Sequence, residues 1–216
     1  MKGVIFMSEL RTPEQSRRRK IRRITSAAIL TAMAVVLMYL EVALPFMPPF
    51  LKFDFSEIPV LIGSFVLGPV YGVVIELVKN IIHLPVSATS GIGEMSNFLT
   101  GSIYVFTAGS IYSRHRTRKG AIAAMLIATA ALALIAVPLN YFVTLPLYET
   151  VLGFTTEKVV GMSHGVNPLI NDKLSLVLWG FVPFNLFKGT VVAFFTFWVY
   201  KPISKLINET YEKTRK

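Results

Sequence analysis

Cysteine is absent from this 216-residue chain, and histidine occurs only three times. The first absence excludes a disulfide framework, a thiolate metal site and a cysteine nucleophile. Charge is also scarce. Only 16% of residues are charged and 53% are hydrophobic, with a mean hydropathy of +0.59, whereas a soluble domain carries about 25% charge. The charges that do occur are clustered, so long stretches have none. Disorder, collagen and coiled coil are thereby excluded, and one integral membrane domain is expected. The net charge of +10 sits beside apolar spans, which favours cationic cytoplasmic ends over a nucleic-acid partner.

What is present is a series of uncharged runs. The apolar run at residues 4–7 is too short for a signal-peptide core, and Met7 is an alternative start to Met1. Arg17, Arg18, Arg19, Lys20, Arg22 and Arg23 then lead straight into residues 24–44, 21 residues whose single charge is Glu41 near the far end. About 20 apolar residues at 1.5 Å each cross a hydrocarbon core of about 30 Å, so this is a first transmembrane helix. Further uncharged runs cover 58–75, 95–113, 120–148 and 174–200, the last interrupted by Lys188. The second continues through Glu76 and Lys79 to Leu84 and contains Gly68-Pro69. It reads either as one long helix or as two short ones hinged at that dipeptide.

Basic residues decide between them. Of 22 Lys and Arg, eight precede the first span, four lie in 114–119 and five follow the last span. Two short helices put all three clusters on the cytoplasmic side, as basic loops require; one long helix leaves two of them outside. The expected fold is therefore all-α. A compact bundle of six transmembrane helices (24–200) lies between a basic cytoplasmic N-terminal segment (1–23) and a basic cytoplasmic tail (201–216). The outer loops around 45–56, 85–94 and 149–173 gather the acidic residues Asp54, Glu57, Glu94, Glu149, Glu157 and Asp172. No internal repeat suggests the two-fold architecture of many secondary transporters.

Lys188 carries the most information. It lies about twelve residues, roughly 18 Å, from either end of its run, farther than a lysine stem can snorkel. Its ammonium must face the bundle interior, a cavity or an anionic partner. Such a charge costs at least about 2.5–3.5 kcal/mol to insert, so a ligand site is the favoured reading and an inter-helix polar clasp the bland one. Asn185 stands one turn away on the same face, and Pro183 in that segment removes a backbone hydrogen bond. Asn140 lies about five residues inside the outer end of its span, where ligand binding and helix-to-helix bonding are both open to an amide that donates and accepts. The three make a polar trio in the outer half to midplane of an apolar bundle.

Other features are weaker. Ser56 is a candidate helix cap, with Asp54 and Glu57 suited to a helix start. The aromatics of that loop are interfacial anchors or a cover for a flat ring. Ser90-Gly91-Ile92-Gly93-Glu94 reads as turn chemistry or as close backbone approach to a ligand, and it lacks the Lys and Ser/Thr of a phosphate loop. Ala28 and Ala32 form a small-xxx-small pattern, either a helix-docking face or a product of alanine-rich composition. His83 near the outer surface, His115 in the inner loop and His164 in an outer loop do not readily converge on a metal or a triad. No aspartate lies inside a span and no nucleotide-binding motif is present. An enzyme is not expected, and any ATP-driven work falls to another subunit.

Taken together, several motifs resemble one family. They are the six short spans behind a basic N-terminus; Pro48-Pro49-Phe50-Leu51-Lys52-Phe53-Asp54-Phe55-Ser56-Glu57; Leu139-Asn140-Tyr141 followed by Leu145-Pro146; and Pro183-Phe184-Asn185-Leu186-Phe187-Lys188-Gly189. They resemble the riboflavin-specific substrate-binding (S) components of the energy-coupling factor (ECF) vitamin importers. The resemblance covers about residues 22–200 and is weakest over 149–173. It implies a multi-pass protein of the cell membrane that captures riboflavin outside and delivers it inward by toppling within the bilayer. A transmembrane coupling subunit and two cytoplasmic ATPase subunits would be its partners.

The resemblance also implies that Asn140, Asn185 and Lys188 bind riboflavin and that Ala28 and Ala32 dock the coupling subunit. Riboflavin is then transported ligand rather than cofactor, and whether flavin mononucleotide is also accepted stays open on the sequence. Asparagine amides match the alternating donors and acceptors of the isoalloxazine edge, and lysine supplies donors. Phe53, Phe184 and Phe187 would wall the ring faces, and Gly93 would allow close approach. Two other classes stay open on the residues alone. One is a stand-alone transporter of another small polar solute, working without an ATPase partner. The other is a membrane scaffold in which buried Lys188 is structural and no ligand raises thermal stability.

Overall fold

The computed structural model describes residues 13–212; the run at 4–7, the alternative start at Met7 and the last basic residues of the tail lie outside them. α1 (Pro13–Met38) begins within the basic segment and includes Arg17 to Arg23. Arginine and lysine are good helix formers, and Glu14 meets Arg18 one turn on at 2.6 Å.

Beyond α1 stands an element that an all-α fold does not contain. β1 (Val42–Ala43) pairs antiparallel with β2 (Lys52–Phe53), Val42 opposite Phe53 and Ala43 opposite Lys52. The enclosed loop holds Pro45, Pro48 and Pro49, which cannot donate to a helical ladder, so a short hairpin pins its base and a Glu41–Lys52 ion pair closes it.

α2 (Glu57–Leu67) and α3 (Pro69–His83) are separate helices. Gly68 between them has φ +114° and ψ 161°, a conformation open to glycine, and Pro69 takes the first helical position, where its missing N–H is not needed. A 3₁₀ turn (Leu84–Val86) extends α3. α4 (Ile92–Arg114) and α5 (Arg118–Leu139) follow, and a π-helical turn (Asn140–Thr144) carries α5 into α6 (Leu145–Leu152). α7 (Thr156–His164) lies within the segment 149–173. α8 (Lys173–Leu176) passes through a second π turn (Val177–Phe181) into α9 (Val182–Glu212), which runs on past residue 201.

Among the described residues, four helical stretches are long and apolar enough to cross a membrane: Pro13–Met38, Pro69–Val86, Arg118–Leu152 and Lys173–Ile203. Their outward faces carry large apolar side chains such as Leu134, Phe142 and Trp198. α2 has 11 residues, about 17 Å of helix, too short to span alone. It is sheltered instead, with every residue buried except Ile58 and Val66.

Two apolar clusters fill the interior. One comprises Leu30, Val60, Ile62, Ile75, Tyr104, Val105, Met125 and Val192. Beside it the rings of Phe65, Tyr112 and Tyr200 pack at 4.3 to 6.0 Å, drawing the basic ends of α4 and α9 together. The other comprises Leu51, Phe53, Leu145, Tyr148, Ile170, Leu176, Phe181 and Phe184, and joins the hairpin loop to α6, α8 and the start of α9.

Candidate functional site

Where the two clusters meet, they leave a cavity. Tyr104, Leu132 and Val192 of the first and Leu51, Tyr148, Phe181 and Phe184 of the second line it, around about 1060 Å³ of atom-free space with the open mouth included. Asn140, Asn185, Lys188, Gly93 and Phe184 all line it. Five residues from three separate stretches of sequence thus converge on one space.

The two asparagines owe their placing to the π turns. Asn140 opens the first, and Asn185 lies one turn past the second. In these turns a backbone N–H reaches back five residues, Leu145 to Asn140 and Val182 to Val177. Pro146 and Pro183 stand just beyond, unable to continue the α ladder, and such bulges re-aim side chains at functional sites. Both amides then donate back to their own helices, Asn140 Nδ2 to the Ala136 carbonyl at 2.7 Å and Asn185 Nδ2 to that of Phe181 at 2.8 Å. The buried Oδ1 of Asn140 has no hydrogen-bond partner among the described residues. A buried polar atom left so is costly and demands a reason.

Lys188 is clasped and also faces the cavity. Its Nζ donates to Asn97 Oδ1 at 3.1 Å and to Asp54 Oδ2 at 3.3 Å, and stands 3.9 Å from Glu57 Oε1. Behind it the polar contacts form a ring. Asn97 Nδ2 donates to Asn80 Oδ1 at 3.2 Å, and Asn80 Nδ2 to Glu76 Oε1 at 2.9 Å. Lys79 Nζ pairs with Glu76 Oε2 at 2.9 Å and with Glu57 Oε1 at 2.7 Å, which returns the path to Lys188. Gly101 makes room for it, since a Cβ there would stand 2.5 Å from Glu76 Oε1 and 3.1 Å from Glu57 Oε1.

Several expectations change here. Asp54, Glu57 and Glu94, expected among the outer-loop acids, are buried at the site, where Lys188, Lys79 and His83 meet them. Ser56 does not cap α2 with its side chain; its hydroxyl accepts from Lys79 at 2.8 Å, while Asp54 Oδ1 accepts the Ser56 N–H at 2.7 Å. Burial pushes the Asp54 carboxyl upward, but the ammonium groups of Lys188 and Lys79 and the Ser56 hydrogen bonds outweigh it and hold it below its ordinary 3.8.

Phe53 and Phe187 do not line the cavity. They pack against each other at 5.6 Å, with Phe55 and Phe46 around them. Phe50, Tyr148 and Phe181 stand at the wall in their place, with ring centroids 5.8 to 6.2 Å apart. Gly93 lines the cavity, and it also serves the turn: its N–H donates to Thr89 Oγ1 at 2.9 Å, and a Cβ would meet that oxygen at 2.7 Å. Ala28 and Ala32 are exposed on the face of α1 that also presents Ile29, Met33 and Val36.

Other functional groups escaped sequence reasoning. His83 Nδ1 and Glu94 Oε1 meet at 2.8 Å at the cavity, Ser87 Oγ donates to Glu94 Oε2 at 2.6 Å, and Tyr39 packs on the His83 ring at 5.2 Å. The buried Lys79 was detectable in principle, since Glu76 and Lys79 are three residues apart within an otherwise apolar run and so share a helix face.

Comparison with known proteins supplies a context for this geometry. The family model described as "ECF transporter, substrate-specific component" matches residues 22–200. The chain is 33% identical over 186 residues to the riboflavin transporter RibU of Staphylococcus aureus (strain TCH60), covering 86% of this chain and 92% of that protein. It is 28% identical over 178 residues to the riboflavin transporter FmnP of Bacillus subtilis (strain 168), covering 80% and 87%. Among solved structures, an S component of a bacterial ECF transporter superposes with a TM-score of 0.70 at 32% identity, over 87% of this chain and 98% of the other.

Proposed function

This chain belongs to the substrate-specific components of ECF transporters, and from that premise we propose that it captures riboflavin at the outer face of the cell membrane for ATP-driven uptake. One observation carries the reading most directly: Asn140, Asn185 and Lys188 converge on a single cavity, where Asn140 Oδ1 has no partner among the described residues. A scaffold gains nothing from a buried acceptor left without a partner. A ligand with N–H and O–H donors on a flat aromatic body satisfies it, and Phe50, Phe181 and Phe184 suit the body's faces.

In this reading six helical rods lie within the bilayer, with the short α2 sheltered among the others: α1, α2, α3, α4, α5 with α6, and α8 with α9. The basic ends of α1, α4, α5 and α9 are cytoplasmic and the hairpin is outside. The exposed Ala28 and Ala32 on α1 admit close approach of a helix from the transmembrane coupling subunit, whose two ATPase partners supply the energy. The cavity favours riboflavin over flavin mononucleotide, because Glu41, Asp54, Glu57 and Glu94 face it against Lys52 and Lys188, and an added phosphate meets that surplus of carboxylates.

The test is a titration of detergent-purified protein, read by quenching of flavin fluorescence. Saturable binding of riboflavin below about micromolar, with weaker binding of flavin mononucleotide, is expected. No quenching at micromolar riboflavin overturns the reading. Uptake into liposomes that lack any ATPase module would instead identify a stand-alone transporter.

A further inference from the structure

The basic end of α1 borders a second polar recess, apart from the flavin cavity. Ser16, Arg19, Lys20 and Arg23 line it together with Tyr71 from the first turn of α3. At 3.6 residues per turn the four α1 positions share one face, continuous with the buried stripe of Leu30, Ala34 and Met38. Along that stripe α1 packs into the bundle. At Ser16, Arg19 and Lys20 the same face is exposed, because α2 and α3 have already turned back at Gly68. Three cations therefore border one recess that has no carboxylate among its lining residues. Glu14, the one acid of α1, is committed to Arg18 at 2.6 Å. Like charges three and four residues apart on one helix face repel, and an anion seated among them turns that cost into attraction.

Depth points to the kind of anion. Arg23 directly precedes Ile24, where the apolar span starts, so in the membrane reading the recess lies at headgroup level. Tyr71 packs on the apolar core and also borders the recess, which suits a tyrosine at a membrane interface. Just beyond, Ile24, Val70 and Val74 expose apolar side chains. We propose that the recess binds the phosphate of an anionic phospholipid of the cytoplasmic leaflet, whose acyl chains cover the apolar surface of α1 and α3. Basic pockets between helices at this depth suit such headgroups. Ala28 and Ala32 lie about 150° around α1 from the recess, so the lipid leaves that face open.

The experiment titrates delipidated full-length protein in detergent with a short-chain phosphatidylglycerol, with phosphatidylcholine of the same chains, and with inorganic phosphate. Native mass spectrometry counts bound lipid, and thermal unfolding reads the affinity. Lys20→Gln/Arg23→Gln removes two cations from the recess. Arg114→Gln/Lys119→Gln removes two from the adjoining ends of α4 and α5 and is the control of equal charge. Phosphatidylglycerol is expected to bind the wild type and raise its Tm, and phosphatidylcholine to do neither. Inorganic phosphate, without acyl chains, is expected to bind far more weakly. Each cation removed from the recess should weaken phosphatidylglycerol about fivefold, hence about thirtyfold for the double variant, while the control keeps wild-type affinity.

Equal weakening in the control reveals a diffuse charge effect and overturns the proposal, as does wild-type affinity in the recess variant. Inorganic phosphate binding as tightly as the lipid overturns the assignment to lipid. A recess variant that keeps its lipid but no longer assembles with the coupling subunit marks a protein contact and overturns it too. The single variants Lys20→Gln and Arg23→Gln, each expected to lose about fivefold, carry the test should the double variant fold poorly. Riboflavin affinity should match wild type in every variant, since the recess and the cavity share no lining residue. Lipid and flavin binding lost in step would mean general damage and would overturn the proposal.

Discussion

Replacing Asn140 by alanine separates a ligand contact from a structural one, because its two functional atoms have opposite fates in the fold. Nδ2 donates at 2.7 Å to the Ala136 carbonyl, which already accepts the backbone N–H of residue 140. Losing that second bond costs little, of order 0.5–1 kcal/mol. Oδ1 is buried and unpartnered, and removing such an atom relieves a penalty of about 1–3 kcal/mol. Asn140→Ala should therefore leave ligand-free stability nearly unchanged or slightly raised, shifting Tm by no more than about 2–4 °C for a chain of this length.

Riboflavin binding should respond in the opposite sense. Losing a buried hydrogen-bond partner costs about 1–3 kcal/mol, or roughly 5- to 150-fold in affinity. With riboflavin at a hundred times the wild-type Kd, the ligand stabilises the wild type by about 2.7 kcal/mol. A variant weakened a hundredfold is stabilised by about 0.4 kcal/mol at the same concentration. Thermal unfolding in detergent, with and without riboflavin, reads both quantities. The wild type should rise by about 5–11 °C on adding ligand and the variant by only about 1–2 °C. A variant that unfolds well below wild type without ligand, yet keeps the full ligand-induced rise, would show that Asn140 holds the helices and not the flavin.

Three further outcomes are expected. Gly101→Ala, whose Cβ would stand 2.5 Å from Glu76 Oε1, should lower ligand-free Tm and weaken riboflavin binding by forcing the polar ring apart; unchanged values for both would mean that the ring yields freely. Asp54 has its carboxyl held below 3.8, so its contribution to stability is complete above that value and is lost as pH falls through the lowered one. The Tm gap between wild type and Asp54→Asn should thus be full at neutral pH and narrow below about pH 4, and a gap constant with pH refutes it. Ala32→Leu, on the exposed face of α1, should preserve riboflavin affinity while reducing uptake by the complete transporter, and normal uptake would dismiss that face as the docking surface.

Lys188 was legible in sequence because a charge at the centre of an apolar run has few physical excuses. The break between α2 and α3 was legible too, since Gly68-Pro69 pairs a residue free at positive φ with one that cannot donate an N–H. The hairpin of β1 and β2 was not. Two-residue strands carry no periodicity, and their pairing depends on how the proline loop folds back on itself.

The site's acidic half was hidden for a similar reason. Asp54, Glu57 and Glu94 look like loop and helix-start residues until other helices bring Lys188 to Asp54, Lys79 to Glu57 and the His83 ring to within 2.8 Å of Glu94. The aromatic walls exchanged places likewise: Phe53 and Phe187 carry the motif, but Phe50 and Phe181 line the space.

Local chemistry in the chain was enough to establish a helical membrane domain, its basic ends, its hinge and the three polar side chains of the trio, because burial in lipid penalises each misplaced charge residue by residue. Which ring faces the cavity and which carboxylate joins which ammonium were decided by tertiary packing. Those properties belong to distances between helices, set by how small residues such as Gly101 let them approach, and no single segment contains them.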